Sequence, residues 1–148
     1  MAASAVAVPL GAQPNSAAAW LDDTWLDTRR QRAVPVRMRW PAGDGPCGLV
    51  FHSRGLGGDR GAGALWGEAW RAAGLAVVHL QHPGSDSEVW RNGLPGLRRG
   101  AAVEQYLARV QDAHFALDEL QRLRERGGRW SRVRLDAVGF AGTRSVPV

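Results

Sequence analysis

The sequence contains no lysine: all 19 of its basic residues are arginine, set against 14 acids for a net charge of +5. A basic chain points toward nucleic acid when its cations cluster on one surface. Here the arginines are scattered and acids accompany them through most of the chain. The abundance of Ala, Gly, Arg and Trp reads as a coding bias toward G and C, so a nucleic-acid partner is not expected. The densest basic stretch is Arg122, Arg124, Arg126, Arg129, Arg132 and Arg134. It reads as a solvated helix end and connector, because arginine is favourable at a helix C-terminus; its alternative use is to bind an anionic partner. Cysteine is nearly absent too. A lone Cys47 excludes an intrachain disulfide and a multi-cysteine metal site. No apolar run approaches the roughly 20 residues of a membrane-spanning helix, and no internal repeat is present. The N-terminal "MAASAVAVPLGAQ" has the apolar and small-residue character of a secretory signal but not its positively charged start. Two readings stay open: a flexible tail on a cytoplasmic protein, or a signal for export whose true start lies upstream.

What is present fits one domain of ordinary size. Residues 1–19 are Ala-, Pro- and Ser-rich without a period and read as a tail; residues 20–148 form the domain. "WLDDTWLDTRRQR" reads as an irregular lead-in. "AVPVRMRW" alternates, with Val34, Val36, Met38 and Trp40 on one face, and Pro35 suits an edge strand. The turn cluster 41–46 is expected to fold it as a hairpin onto the buried strand "CGLVFH". A glycine-rich loop, "SRGLGGDRG", precedes a helix with Leu65, Trp66, Ala69, Trp70 and Ala73 on one face and Gly74 as its stop. "LAVVHL" is a second buried strand. A long polar loop follows, and long loops often line sites. The strongest helix spans 101–126, with Val103, Leu107, Val110, Leu117 and Leu120 as its apolar stripe; "LDAVGF" is the last strand. The order β-β-α-β-α-β implies an α/β fold with three layers and a mainly parallel sheet.

Open α/β sheets bind ligands beyond the C-terminal ends of their strands. Three segments fall there, "FHSRGLGG" at 51–58, "HLQHPGSD" at 79–86 and "VGFAG" at 138–142. Together they resemble the α/β-hydrolase superfamily, in particular its dienelactone-hydrolase-like members and the platelet-activating-factor acetylhydrolases. The resemblance covers roughly residues 20–142. It implies hydrolysis of an ester-like small molecule by a serine on a tight elbow, with a histidine as base and an acid orienting the histidine. It places Arg54, Gly55, Leu56 and Gly57 in the oxyanion loop, with the N–H of Leu56 as donor, and His82 and Asp86 along the pocket. It implies no cofactor.

The chain departs from that pattern at each element. Arg54 replaces a histidine in the loop. Arg144 stands at the nucleophile position, and arginine is no nucleophile at neutral pH. Its neighbour Ser145 is one residue late, with Thr143 and Pro147 where the elbow needs small residues. A single base explains this. The codons GGC CAC TCG TTC GGT GCC spell Gly-His-Ser-Phe-Gly-Ala; without one C they read Gly-Thr-Arg-Ser-Val-Pro, which is residues 142–147. The expectation is an incomplete hydrolase fold, truncated and inactive as written, with an exposed apolar last strand that folds poorly alone. The competing reading is a non-catalytic binding fragment that uses the glycine loop or the 122–134 arginines. Elsewhere His52 and His114 read as packed residues, and Asp112 with Arg109 as an ion pair or a solvated face. His79, His82 and Asp86 lack an evident fourth ligand for zinc, so no metal is expected.

Overall fold

A computed structural model describes residues 20–53, 63–83, 91, 94–95 and 103–142. Within them the chain forms β1 (Leu21–Asp27), β2 (Arg32–Arg39), β3 (Cys47–Ser53), α1 (Ala64–Ala72), β4 (Ala76–Leu80), α2 (Val103–Arg126), a 3-10 turn (Gly128–Arg132) and β5 (Val133–Gly142). The strands lie side by side in the order β1-β2-β4-β3-β5. β1 with β2 and β2 with β4 are antiparallel; β4 with β3 and β3 with β5 are parallel. The sheet is therefore mixed rather than mainly parallel.

Two local expectations are corrected here. The segment read as an irregular lead-in is β1, and its Trp25 is buried. The hairpin from β2 into β3 does not form, because β2 pairs with β1 and β4 instead. Pro35 therefore lies in an interior strand. It is tolerated because its ring nitrogen faces the end of β4: the last β2–β4 register pair is Val36 with Leu80, and the Pro35 carbonyl accepts from the Gln81 N–H just beyond it. A missing donor there costs no interior rung of the ladder.

The alternation of β2 holds as read, with Val34, Val36, Met38 and Trp40 all buried. They join Leu49, Phe51, Val78 and Leu80 in one core with Ala116 and Leu120 of α2. Successive strand residues point to opposite faces, so His52 and His79 look the other way, toward α1. At the far end of the strands Trp130 of the 3-10 turn sits edge-on between Trp25 and Trp40, at ring-centroid distances of 5.9 and 4.9 Å.

Both helices turn a different side to the sheet than their apolar residues suggest. On α1, Leu65 and Trp66 are 88% and 62% exposed, and the one buried residue is Gly67. A Cβ at Gly67 would lie 2.6 Å from His79 Nε2 and 2.8 Å from the Trp20 ring. Only glycine permits α1 to come this close. Gly67→Ala gains up to about 1 kcal/mol of helix propensity but overpacks a buried site by about 1–3 kcal/mol. A net loss of stability is expected, measured as a lower denaturant midpoint with unchanged slope. Gly74, φ +89°, follows the end of α1, the stop that the sequence suggested.

On α2 the expected stripe faces outward, apart from Leu120. Val103, Leu107, Val110 and Leu117 are 70%, 54%, 38% and 37% exposed. The buried residues are Asp112, Ala116 and Leu120, one turn apart, with Phe115 and Leu123 half-buried beside them. His114, expected to be packed, is exposed. The pair Gly127 and Gly128, both at positive φ, lets the chain leave α2. Among the described residues β5 is an edge strand with Leu135 and Phe140 about half exposed.

Candidate functional site

Parallel pairing brings the C-terminal ends of three strands to one edge of the sheet. In register, Ser53 of β3 stands opposite Leu80 of β4 on one side and Gly142 of β5 on the other. The three segments singled out in the sequence thus leave the sheet together. Of the residues that the resemblance assigned, His82 is described and buried. Arg54, Gly55, Leu56, Gly57, Asp86, Arg144 and Ser145 lie outside the described residues.

His82 sits two residues past β4 and links two elements. Its Nδ1 is 2.9 Å from Asp112 Oδ2 on α2, and its Nε2 is 2.7 Å from Ser53 Oγ. Asp112 has no solvent exposure. Arg30 Nη2 donates to its Oδ1 at 2.8 Å, and Arg32 donates Nε to Oδ1 at 2.7 Å and Nη2 to Oδ2 at 2.9 Å. Burial pushes the Asp112 carboxyl up, but the hydrogen bonds from His82, Arg32 and Arg30 outweigh burial and hold it far below the usual carboxylate range. An ionised carboxylate only accepts. His82 Nδ1 therefore carries a proton, and in the neutral ring Nε2 is left to accept from the Ser53 hydroxyl.

Two further contacts fix the arrangement. Arg30 Nε donates to Asp27 Oδ2 at 2.5 Å, and Arg32 Nη2 donates to the Pro83 carbonyl at 2.9 Å, which pins the start of the loop carrying His82. The Asp27, Asp112, Arg30 and Arg32 charges balance. From α2, Arg109 Nη2 donates to Ser53 Oγ at 3.3 Å, and burial lowers the affinity of Arg109 for its proton. Asp112 is thus neither a solvated face nor a simple partner of Arg109. Ser53 and Asp112 went unassigned in the sequence because their partners lie 29 to 82 positions away; the one local signal is "HS" at the end of a buried strand.

Two other histidines serve packing. His52 and His79 are buried on the α1 face with their Nδ1 atoms 3.0 Å apart, one donating and one accepting. Trp70 lies 5.5 Å from the His52 ring and Trp20 lies 5.0 Å from the His79 ring. His79 and His82 face opposite sides of the sheet and so do not converge. Among the described residues no cluster of His, Cys, Asp and Glu is arranged to hold a metal, and no helix is long and apolar enough to cross a membrane. Four of the six arginines in the arginine-rich segment are engaged within the chain: Arg122 pairs with Glu119, Arg134 with Asp136, Arg132 donates to the Gly45 carbonyl, and Arg129 stacks on Trp40. A groove of about 730 Å³ runs between β1 and α2, bordered by Asp23, Asp27, His114 and Arg122. Its lining includes neither Ser53 nor His82.

No protein-family model matches the chain, and no curated protein matches it in sequence. Solved structures do match its fold. One is 2,6-dihydroxy-pseudo-oxynicotine hydrolase, at TM-score 0.57 and 20% identity over 82% of this chain. Another is a dipeptidyl aminopeptidase IV-like protein from Bacteroides ovatus, at TM-score 0.58 and 12% identity over 84% of this chain. The chain spans 29% and 17% of their respective lengths. At such identities the likeness is one of fold: a mixed sheet with helices.

Proposed function

We propose that this chain is the N-terminal portion of a three-layer α/β-hydrolase domain related to serine carboxyl-ester hydrolases of the dienelactone-hydrolase and platelet-activating-factor-acetylhydrolase type. Its ligand site, for an ester-like small molecule, is the edge where β4, β3 and β5 end. One observation carries this reading: the sheet order β1-β2-β4-β3-β5, with its last three strands parallel, delivers the three resembling segments to a single edge. Arg144, at the position after β5 where relatives have serine, supplies no nucleophile. The residues from Thr143 on read as the elbow's bases one out of step, and sequencing the gene past the Gly142 codon checks this. An intact hydrolase-like continuation in another frame is the expected result.

The site itself is tested by hydrogen exchange with a short-chain amide, isosteric with an ester and slow to hydrolyse. Slower exchange is expected at the ends of β3 and β4, around Ser53 and His82. Slowing confined to the groove between β1 and α2, or no slowing at saturating amide, overturns the reading.

A further inference from the structure

We infer that Ser53, His82 and Asp112 form a serine–histidine–aspartate relay, giving the chain a nucleophile at the end of β3 in place of the one missing after β5. The inference rests on the ester-site reading above and adds the reacting atoms to it.

A nucleophilic serine needs a base within hydrogen-bond reach and a third group that orients the base. Both contacts are in place, at 2.7 Å from Ser53 Oγ to His82 Nε2 and 2.9 Å from His82 Nδ1 to Asp112 Oδ2. The ionised Asp112 fixes the tautomer in which Nε2 accepts a proton. The row also has a direction. Asp112 and His82 are 0% and 3% exposed, whereas Ser53 is only half-buried. Ser53 is thus the most exposed member of the row. Its position suits the task as well. Ser53 stands opposite Gly142 in the parallel ladder, so it is one strand, about 4.8 Å, from the last residue of β5.

Arg109 adds a cationic donor at the Ser53 oxygen, which favours the negative charge that grows there as the proton leaves. A buried scaffold alone does not account for this set. Arg30 and Arg32 already neutralise Asp112, and a buried histidine needs no partly exposed serine to satisfy Nε2 when water or a carbonyl serves.

The step is an acyl transfer. Ser53 Oγ forms a bond to the ester carbonyl carbon while its proton passes to His82 Nε2. The tetrahedral adduct then collapses, the bond to the alcohol oxygen breaks, and that oxygen takes the proton from His82. Water, deprotonated by His82, releases the acid and restores Ser53. Asp112 acts through His82 and is a positioning residue.

The test is labelling of the full chain with an alkyl fluorophosphonate, mapped by peptide mass spectrometry. Here Ser53 Oγ bonds to phosphorus and fluoride departs. The adduct is expected on Ser53, with its rate of formation lowered about 10²- to 10⁴-fold by His82→Gln. Glutamine keeps an N–H for Asp112 but offers no basic nitrogen, and an unchanged thermal transition confirms that this variant folds. Ser53→Ala is expected to lower turnover of a chromogenic acetate ester at least about a thousandfold. An adduct on Ser145 alone, or ester turnover unchanged in Ser53→Ala, overturns the relay. Amide protection at the strand ends without any Ser53 adduct overturns the relay and leaves the ester-site reading standing; loss of both removes both.

Discussion

Replacing Asp112 by alanine is expected to destabilise the fold by about 3–5 kcal/mol, the cost of stranding buried charge. The carboxylate has no solvent exposure and accepts from Arg30, Arg32 and His82. Without it two guanidinium groups face each other across the space it occupied, and His82 loses the acceptor for Nδ1. Asp112→Asn keeps the size and one acceptor oxygen but not the charge, so a smaller loss is expected. Equilibrium denaturation of the three proteins measures both. The acid side of the pH profile gives an independent check. The folded-state pKa of Asp112 lies well below the ordinary carboxylate range. Its stabilisation is therefore complete above the unfolded value and is lost as pH falls from there through the folded value. Stability should drop more steeply below about pH 4 in the native protein than in Asp112→Asn, in keeping with the unfolded carboxylate's ordinary range. Parallel profiles would show that Asp112 is not held ionised by its neighbours.

Phe51→Ala carries the other large effect, a loss of about 3–5 kcal/mol. Phe51 is fully buried in β3, edge-on to Trp25 of β1 at 6.5 Å and stacked on Phe140 of β5 at 5.0 Å. It therefore bridges the two outermost strands through the core. Its stacking partner Phe140 is 48% exposed, so Phe140→Ala gives up less buried area and should cost about 1 kcal/mol. Chemical denaturation of the pair separates these outcomes, and equal losses would contradict the burial described here. Phe51 also lies two residues before Ser53, on the same face of the strand. Truncating it should loosen the strand end that aims the serine.

Strand positions were legible because period-2 alternation and short apolar runs reflect burial on a sheet. β2, β3, β4 and β5 were read within one or two residues. β1 was missed because only Trp25 and Asp27 of its seven residues are buried, so its segment showed too little alternation. The β2–β3 hairpin was misread because a turn cluster shows where a chain bends and not which strand it will pair with. The helix faces failed for a related reason. Apolar spacing on α2 marks Val103, Leu107 and Val110, yet the core side is Asp112, Ala116 and Leu120. Asp112 is tolerated inside only because Arg30 and Arg32, some 80 positions earlier, neutralise it.

By itself the sequence determined the alternating strands and helices, the glycine stops at Gly74 and Gly127, and the three segments that leave the strand ends. These are local properties, set by side-chain periodicity and by backbone conformations that only glycine adopts readily. The tertiary structure alone decided which strands are neighbours, which side of each helix is buried, and that Ser53, His82 and Asp112 meet. Those outcomes depend on ion pairs and close contacts between residues far apart in the chain, whose energies exist only once the sheet has brought them together.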